Sequence, residues 1–256
     1  ISAANTKSLT ITGADAVSTG VITAANIETV SATAAKALSV STINSSTANK
    51  LTTVNLTSTT EGVTAAVIGS ATNTETLNVT INAAKDISQA GAINSTKVGN
   101  ISAVSTGGTA SVAAAAIVGA NATTMGDVTI TAKTDAITGT IGNTTLATLG
   151  TVSMTSTDGK VAFTAINAKD TGGITVNASA KTTIDNGSGV AATVINDGGN
   201  ITASLAGAAA AKVNYTVATK GVVNLTATNT GGLTSTIKNA GAIADALTST
   251  ITLGNA

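Results

Sequence analysis

Three acidic turns are the stretches of this 256-residue chain whose residue types and spacing could do chemistry. They are Asp158-Gly159, Asp185-Asn186-Gly187 and Asp197-Gly198-Gly199-Asn200. Each sets a carboxylate beside backbone and amide oxygens. That is the ligand type of calcium, which takes about six to eight oxygens. Asp158, Asp185 and Asp197 are therefore the calcium candidates. None of the three turns matches the glycine-aspartate nonapeptide of calcium-loaded β-helices. Gly, Asn and Asp are also the residues that make corners at low cost, and turn chemistry is the better explanation of all three.

Other chemistry is excluded by residue type. The chain has no His and no Cys, which removes Ser-His-Asp and Cys-His nucleophiles and the usual zinc or copper sites. It holds no phosphate-binding or dinucleotide-binding glycine loop. Enzymes that cleave polysaccharides on β-helices need clustered carboxylates or a basic residue in a cleft. Here twelve acids are scattered along the chain and arginine is absent, so the chain is read as no enzyme. Twelve lysines balance the acids, and a net charge of zero gives no electrostatic reason to bind nucleic acid. Every apolar run is broken within a few residues, too short to span a bilayer.

The elements that carry these turns follow from composition. Phe163 and Tyr215 are the only aromatic residues, and Pro and Trp are absent. Small aliphatic side chains fill only a thin core, which points to a narrow, elongated cross-section. Disorder does not fit, because Val and Ile recur throughout and proline is missing.

One pattern repeats along the chain: an apolar residue, then Ser, Thr or Asn, then an apolar residue or Ala. Its instances are Leu9-Thr10-Ile11, Val30-Ser31-Ala32, Val54-Asn55-Leu56, Leu77-Asn78-Val79, Ile101-Ser102-Ala103, Val128-Thr129-Ile130, Val152-Ser153-Met154, Ile174-Thr175-Val176, Ile201-Thr202-Ala203, Val223-Asn224-Leu225 and Ile251-Thr252-Leu253. The first residues are 21 to 28 positions apart. That spacing suits the coil of a solenoid, and the alternation suits a half-buried strand. The expectation is an all-β fold: one continuous β-solenoid over residues 1–256, of about eleven coils averaging about 24 residues. Coil length varies, so the coils should differ in their corners rather than their strands. Neither end offers a polar cap, and the chain is expected to be a piece of a longer one.

In this arrangement the middle residues face outward. Thr10, Ser31, Asn55, Asn78, Ser102, Thr129, Ser153, Thr175, Thr202, Asn224 and Thr252 form an expected polar row and the candidate assembly face. Thr12, Thr33, Thr57, Thr80, Thr131, Thr155 and Thr226 form a second row beside it. Such rows serve as a solvated sheet face or as a contact with another copy. The Thr-x-Thr pairs Thr10/Thr12 and Thr129/Thr131 also suit an ice-binding face.

Two repeats carry an extended form, Asn26-Ile27-Glu28-Thr29-Val30-Ser31-Ala32 and Thr74-Glu75-Thr76-Leu77-Asn78-Val79-Thr80. These resemble the Ile-Glu-Thr-Leu/Val segments of RTX-linked bacterial surface-layer proteins and adhesins. The Ala/Thr/Ser/Gly/Val texture is similar along the whole chain, and Thr248 to Ala256 resembles the strand leading into that family's calcium-binding nonapeptides. The resemblance implies a protein secreted to the bacterial cell surface and a β-solenoid that tiles as a homo-oligomeric lattice. It implies calcium as an assembly cofactor, and anchoring to lipopolysaccharide through a region not seen in this chain. The structural subunit of a surface layer is the leading expectation; the alternatives are the stalk of a secreted adhesin and an ice-binding solenoid.

Overall fold

β-Branched residues on alternate positions favour extended backbone with one face buried, and the chain is built that way. The computed structural model describes residues 1, 5–24, 26–44, 50–117, 122–143 and 146–168. Beyond these it describes the strand stretches 170–178, 183–185, 193–196, 201–205, 211–219, 222–227, 233–239 and 248–253. Among the described residues there is no helix. The strands form two sheets, of 12 and 15 strands, in which the pairings are parallel.

The first sheet is one ladder. Leu9 pairs with Val30, Val30 with Val54, Val54 with Val79, Val79 with Ile101, Ile101 with Val128, and Val128 with Val152. These seven residues open coils 1 to 7. The fold is a parallel β-solenoid, as the repeat predicts. Six closed turns, from Leu9 to Val152, are described along most of their length, fewer than the eleven coils expected. Past Val152 the ladder continues through Ile174, Ile201 and Val223, while segments that join those strands lie outside the described residues.

Two of the expected anchors are out of register by two residues. Val54 faces Val79, so the fourth anchor is Val79 rather than Leu77. Val223 faces Ser249, so the last anchor is Ser249 rather than Ile251. The cause is the strand period. A slip of one residue moves every side chain to the wrong face, but a slip of two leaves each on its own. Sequence alternation cannot detect it.

The second sheet contains the most regular feature of the core. Ile22 pairs with Ile43, Ile43 with Ile68, Ile68 with Ile93, Ile93 with Ile117, Ile117 with Ile141, and Ile141 with Ile166. All seven isoleucines are buried. Each contributes roughly 1.5–3 kcal/mol on burial. Identical side chains stacked at one strand spacing fill a narrow core in which Phe163 is the one aromatic side chain among the described residues.

The corner between the first sheet and the second varies by one residue, while the coils from Leu9 to Val152 run from 21 to 27 residues, and strand irregularities opposite Asn78 and between Val112 and Ala116 take up part of the difference. Between the first sheet and the second, three residues make the corner in coils 1, 2, 4 and 6. Four make it in coils 3, 5 and 7. The longer corners start at Ser58, Ser105 and Ser156; the register partners in coils 2, 4 and 6 are Ala34, Ala83 and Ala132. Each serine hydroxyl holds the extra residue in place. Ser58 Oγ donates to Lys36 O at 2.6 Å and accepts from Glu61 N at 3.2 Å. Ser105 Oγ donates to Lys85 O at 2.6 Å and accepts from Gly108 N at 3.1 Å. Ser156 Oγ donates to Thr134 O and accepts from Gly159 N at 2.9 Å.

Candidate assembly surfaces

Alternation puts every second residue of the first sheet outward. Through coil 7 the outer row is Thr10, Ser31, Asn55, Thr80, Ser102, Thr129 and Ser153, and the backbone register aligns Thr175, Thr202, Asn224 and Thr250 with it. Thr10 is exposed and the next six are half-buried by their neighbours along the row. Nine of the eleven expected members are in place. Asn78 stands one rung earlier, opposite Thr53, and Thr252 lies in the second row, opposite Thr226. Both displacements follow from the two-residue slips. The second row is Thr12, Thr33, Thr57, Asn82, Val104, Thr131 and Thr155, so Thr80 belongs to the first row instead. Among coils 1 to 7 only coils 1 and 6 carry Thr in both rows.

These rows are uncharged, and so is the outer face of the second sheet through Ser18, Ser39, Thr64, Ser88 and Ser111. Ion pairs sit at the corners and join neighbouring coils. At the corner between the sheets Lys36 Nζ lies 2.9 Å from Asp15 Oδ1, Lys85 Nζ 2.6 Å from Glu61 Oε2, and Lys133 Nζ 2.5 Å from Asp158 Oδ2. Lys7 and Glu28 pair at 3.4 Å where the chain enters the first sheet. The bond from Lys36, and then the Ala16 amide, hold the Asp15 carboxyl below the usual carboxylate range.

A second inter-coil device was not anticipated. Asn78 Oδ1 accepts the amide of Asn100 at 2.9 Å, Asn100 Oδ1 that of Asp127 at 3.0 Å, and Asp127 Oδ1 that of Thr151 at 2.8 Å. The residue before each donor is glycine: Gly99, Gly126 and Gly150. A Cβ on any of the three would collide with the carboxyl or amide oxygen that folds over it. The opposite corner repeats the device. Asp86 Oδ1 accepts from Thr109 N at 2.7 Å over Gly108, and Asp135 Oδ1 from Lys160 N at 3.0 Å over Gly159. Each is a staple between consecutive coils. In coil 5, Gly99 and Asn100 stand against the single residue Asn78, so the staple there closes over a β-bulge. The sequence signal was available: glycine stands two residues before Ile101, Val128 and Val152.

Among the calcium candidates, Asp158 is engaged by Lys133. Asp185 ends the strand Thr183–Asp185, where it pairs with Ala162; its side chain lies outside the described residues. Asp197 lies outside them altogether. Among the described residues no group of three or more acids is placed to hold a metal ion. Among the same residues no helix is long and apolar enough to cross a membrane. Compared with protein-family models, with curated proteins and with solved structures, the chain finds no match.

Proposed function

We propose that the chain is a structural subunit of an extracellular bacterial surface layer that assembles into a lattice of its own copies. The observation that carries this reading is that the two outer rows of the first sheet carry no charge from coil 1 to coil 7. The ladder from Thr10 to Ser153 presents polar, uncharged side chains in straight rows, and the ion pairs are held at the corners. Flat faces without charge can approach another copy with little desolvation penalty, because hydroxyls and amides exchange partners where charges would have to be paired.

The resemblance to RTX-linked surface-layer proteins supports the same reading and adds calcium and the outer cell surface to it. Concentrating the purified protein with and without calcium, and imaging both the product and the native cell surface by electron microscopy, tests it. Ordered sheets support the reading. Isolated fibres favour an adhesin stalk instead, and a solution of monomers under all conditions contradicts both. A measured thermal hysteresis in solution would favour the ice-binding alternative.

A further inference from the structure

The long corner of coil 7 begins Ser156-Thr157-Asp158-Gly159, and the fold calls for both of the last two residues. Position 159 requires glycine, because a Cβ there would collide with Asp135 Oδ1 and with the Thr134 carbonyl of coil 6. Position 158 carries the acid that pairs with Lys133 of coil 6, 2.5 Å away. Together they make an Asp-Gly sequence. Among aspartate sequences this one isomerises most readily, since glycine puts no side chain in the way of ring closure. The glycine nitrogen attacks the aspartate Cγ, and a new N–Cγ bond closes a five-membered succinimide. The hydroxyl of the acid leaves as water with the amide proton. Water then reopens the ring at either carbonyl. One opening restores aspartate. The other leaves isoaspartate, with one more carbon in the backbone and no net change in mass. An added backbone atom at this corner would displace Val161 from its register with Ala136.

We propose that Asp158-Gly159 is a latent isoaspartate site and that the hydroxyl of Ser156 keeps it closed. Ring closure needs the Gly159 nitrogen freed of its proton and turned onto Asp158 Cγ. The groups that must move are anchored. Gly159 is buried, and its N–H donates to Ser156 Oγ at 2.9 Å. Ser156 is itself fully buried and donates to Thr134 O, which fixes the hydroxyl in place. Asp158 N donates to Lys133 O at 2.7 Å, and the Asp158 carboxylate is held by Lys133 Nζ. On the far side Lys160 N donates to Asp135 Oδ1 at 3.0 Å. The backbone is thus tied to coil 6 before and after the reacting nitrogen, and Ser156 Oγ is the group bonded to that nitrogen. Ser58 and Ser105 make the same pair of bonds in coils 3 and 5, but their corners hold no Asp-Gly. There the hydroxyl only shapes the corner; in coil 7 it also protects it.

The test ages the full chain at neutral pH, folded and in urea, and reads isoaspartate at position 158 by peptide fragmentation in the mass spectrometer. The unfolded chain should accumulate it, and the folded wild type should lag far behind. Ser156→Ala, checked for its fold by circular dichroism, should accumulate it about five- to tenfold faster than the wild type, the weight of one net hydrogen bond on local opening. Ser105→Ala loses the equivalent bonds two coils away and should leave position 158 at the wild-type rate. Three results overturn the proposal: Ser156→Ala ageing like the wild type, both serine variants speeding up alike, or the folded wild type keeping pace with the unfolded chain. Should Ser156→Ala not fold, Lys133→Ala decides, at a side chain 46% exposed that holds the carboxylate alone. Faster isoaspartate at position 158 in that folded variant supports the closed site, and an unchanged rate overturns it.

Discussion

Asn100 Oδ1 accepts the backbone amide of Asp127, 3.0 Å away on the next coil, and lies where a Cβ on Gly126 would have to go. The bond and the vacancy are one arrangement, since the oxygen can reach over only because the residue beneath has no side chain. Gly126→Ala is expected to push Asn100 off its bond and destabilise the protein by about 1–3 kcal/mol. Adding Asn100→Ala removes the side-chain part of the collision and leaves the backbone of Gly99 close to the new Cβ, so the double variant should lose less than the sum of the single ones. Urea denaturation of the three variants measures the coupling.

The isoleucine ladder makes a sharper demand on shape. Ile93 lies between Ile68 and Ile117 and is fully buried. Ile93→Ala should cost about 2–5 kcal/mol and Ile93→Val about 0.5–1.5 kcal/mol. Ser88→Ala, on the exposed face of a neighbouring strand, should stay within about 0.5 kcal/mol. Equal losses at Ile93 and Ser88 in chemical denaturation would show that the ladder is not the core.

Gln89 is a buried polar group whose partners are fully accounted for. Its Nε2 donates to Ala66 O at 2.5 Å and Gly91 O at 2.9 Å, and its Oε1 accepts from Ala113 N at 2.5 Å. Ala113 has φ of 45°, the left-handed region that costs a residue with a Cβ, and the register of its strand shifts beside it. Gln89→Leu keeps the volume and strands the buried Ala113 amide and two part-buried carbonyls, and should cost about 1–3 kcal/mol for the amide and less for each carbonyl. Gln89→Glu would aim a carboxylate at two carbonyl oxygens. Burial and that contact raise its pKa when folded, so its deficit should shrink as pH falls and the acid protonates. Stability measured at neutral and mildly acidic pH distinguishes the two variants.

Asp15 gives a smaller pH effect of opposite sign. Lys36 lowers its carboxyl pKa in the folded chain, so the contribution to stability is present above the unfolded value and is lost as pH falls through the folded one. The group is fully exposed and the effect is slight. Carboxyl titration by NMR should place Asp15 below the ordinary aspartate range, and Lys36→Ala should move it back toward that range, with the Ala16 amide still holding it down.

The fold class was legible in the sequence because strand alternation and a roughly 24-residue spacing both survive in the structure. The register of two strands was not, since Leu77 and Val79 present the same face, as do Ile251 and Ser249. The strongest ladder went unread for a different reason. Ile22, Ile43, Ile68, Ile93, Ile117, Ile141 and Ile166 recur at 21 to 25 positions, more evenly than the first-sheet anchors, but the first four sit in strands of two residues, which carry little alternation to mark them. The outward rows could be inferred wherever the register was right. The staples left a trace in the glycine two residues before Ile101, Val128 and Val152, but matching each glycine to its Asx one coil away requires the coils to be aligned.

The most direct measurement is electron microscopy with electron diffraction on the protein concentrated from solution, with and without calcium. The account predicts ordered sheets of rods, with a reflection near 4.8 Å along each rod axis from the stacked parallel strands. Dispersed monomers at every concentration, in both conditions, would contradict it.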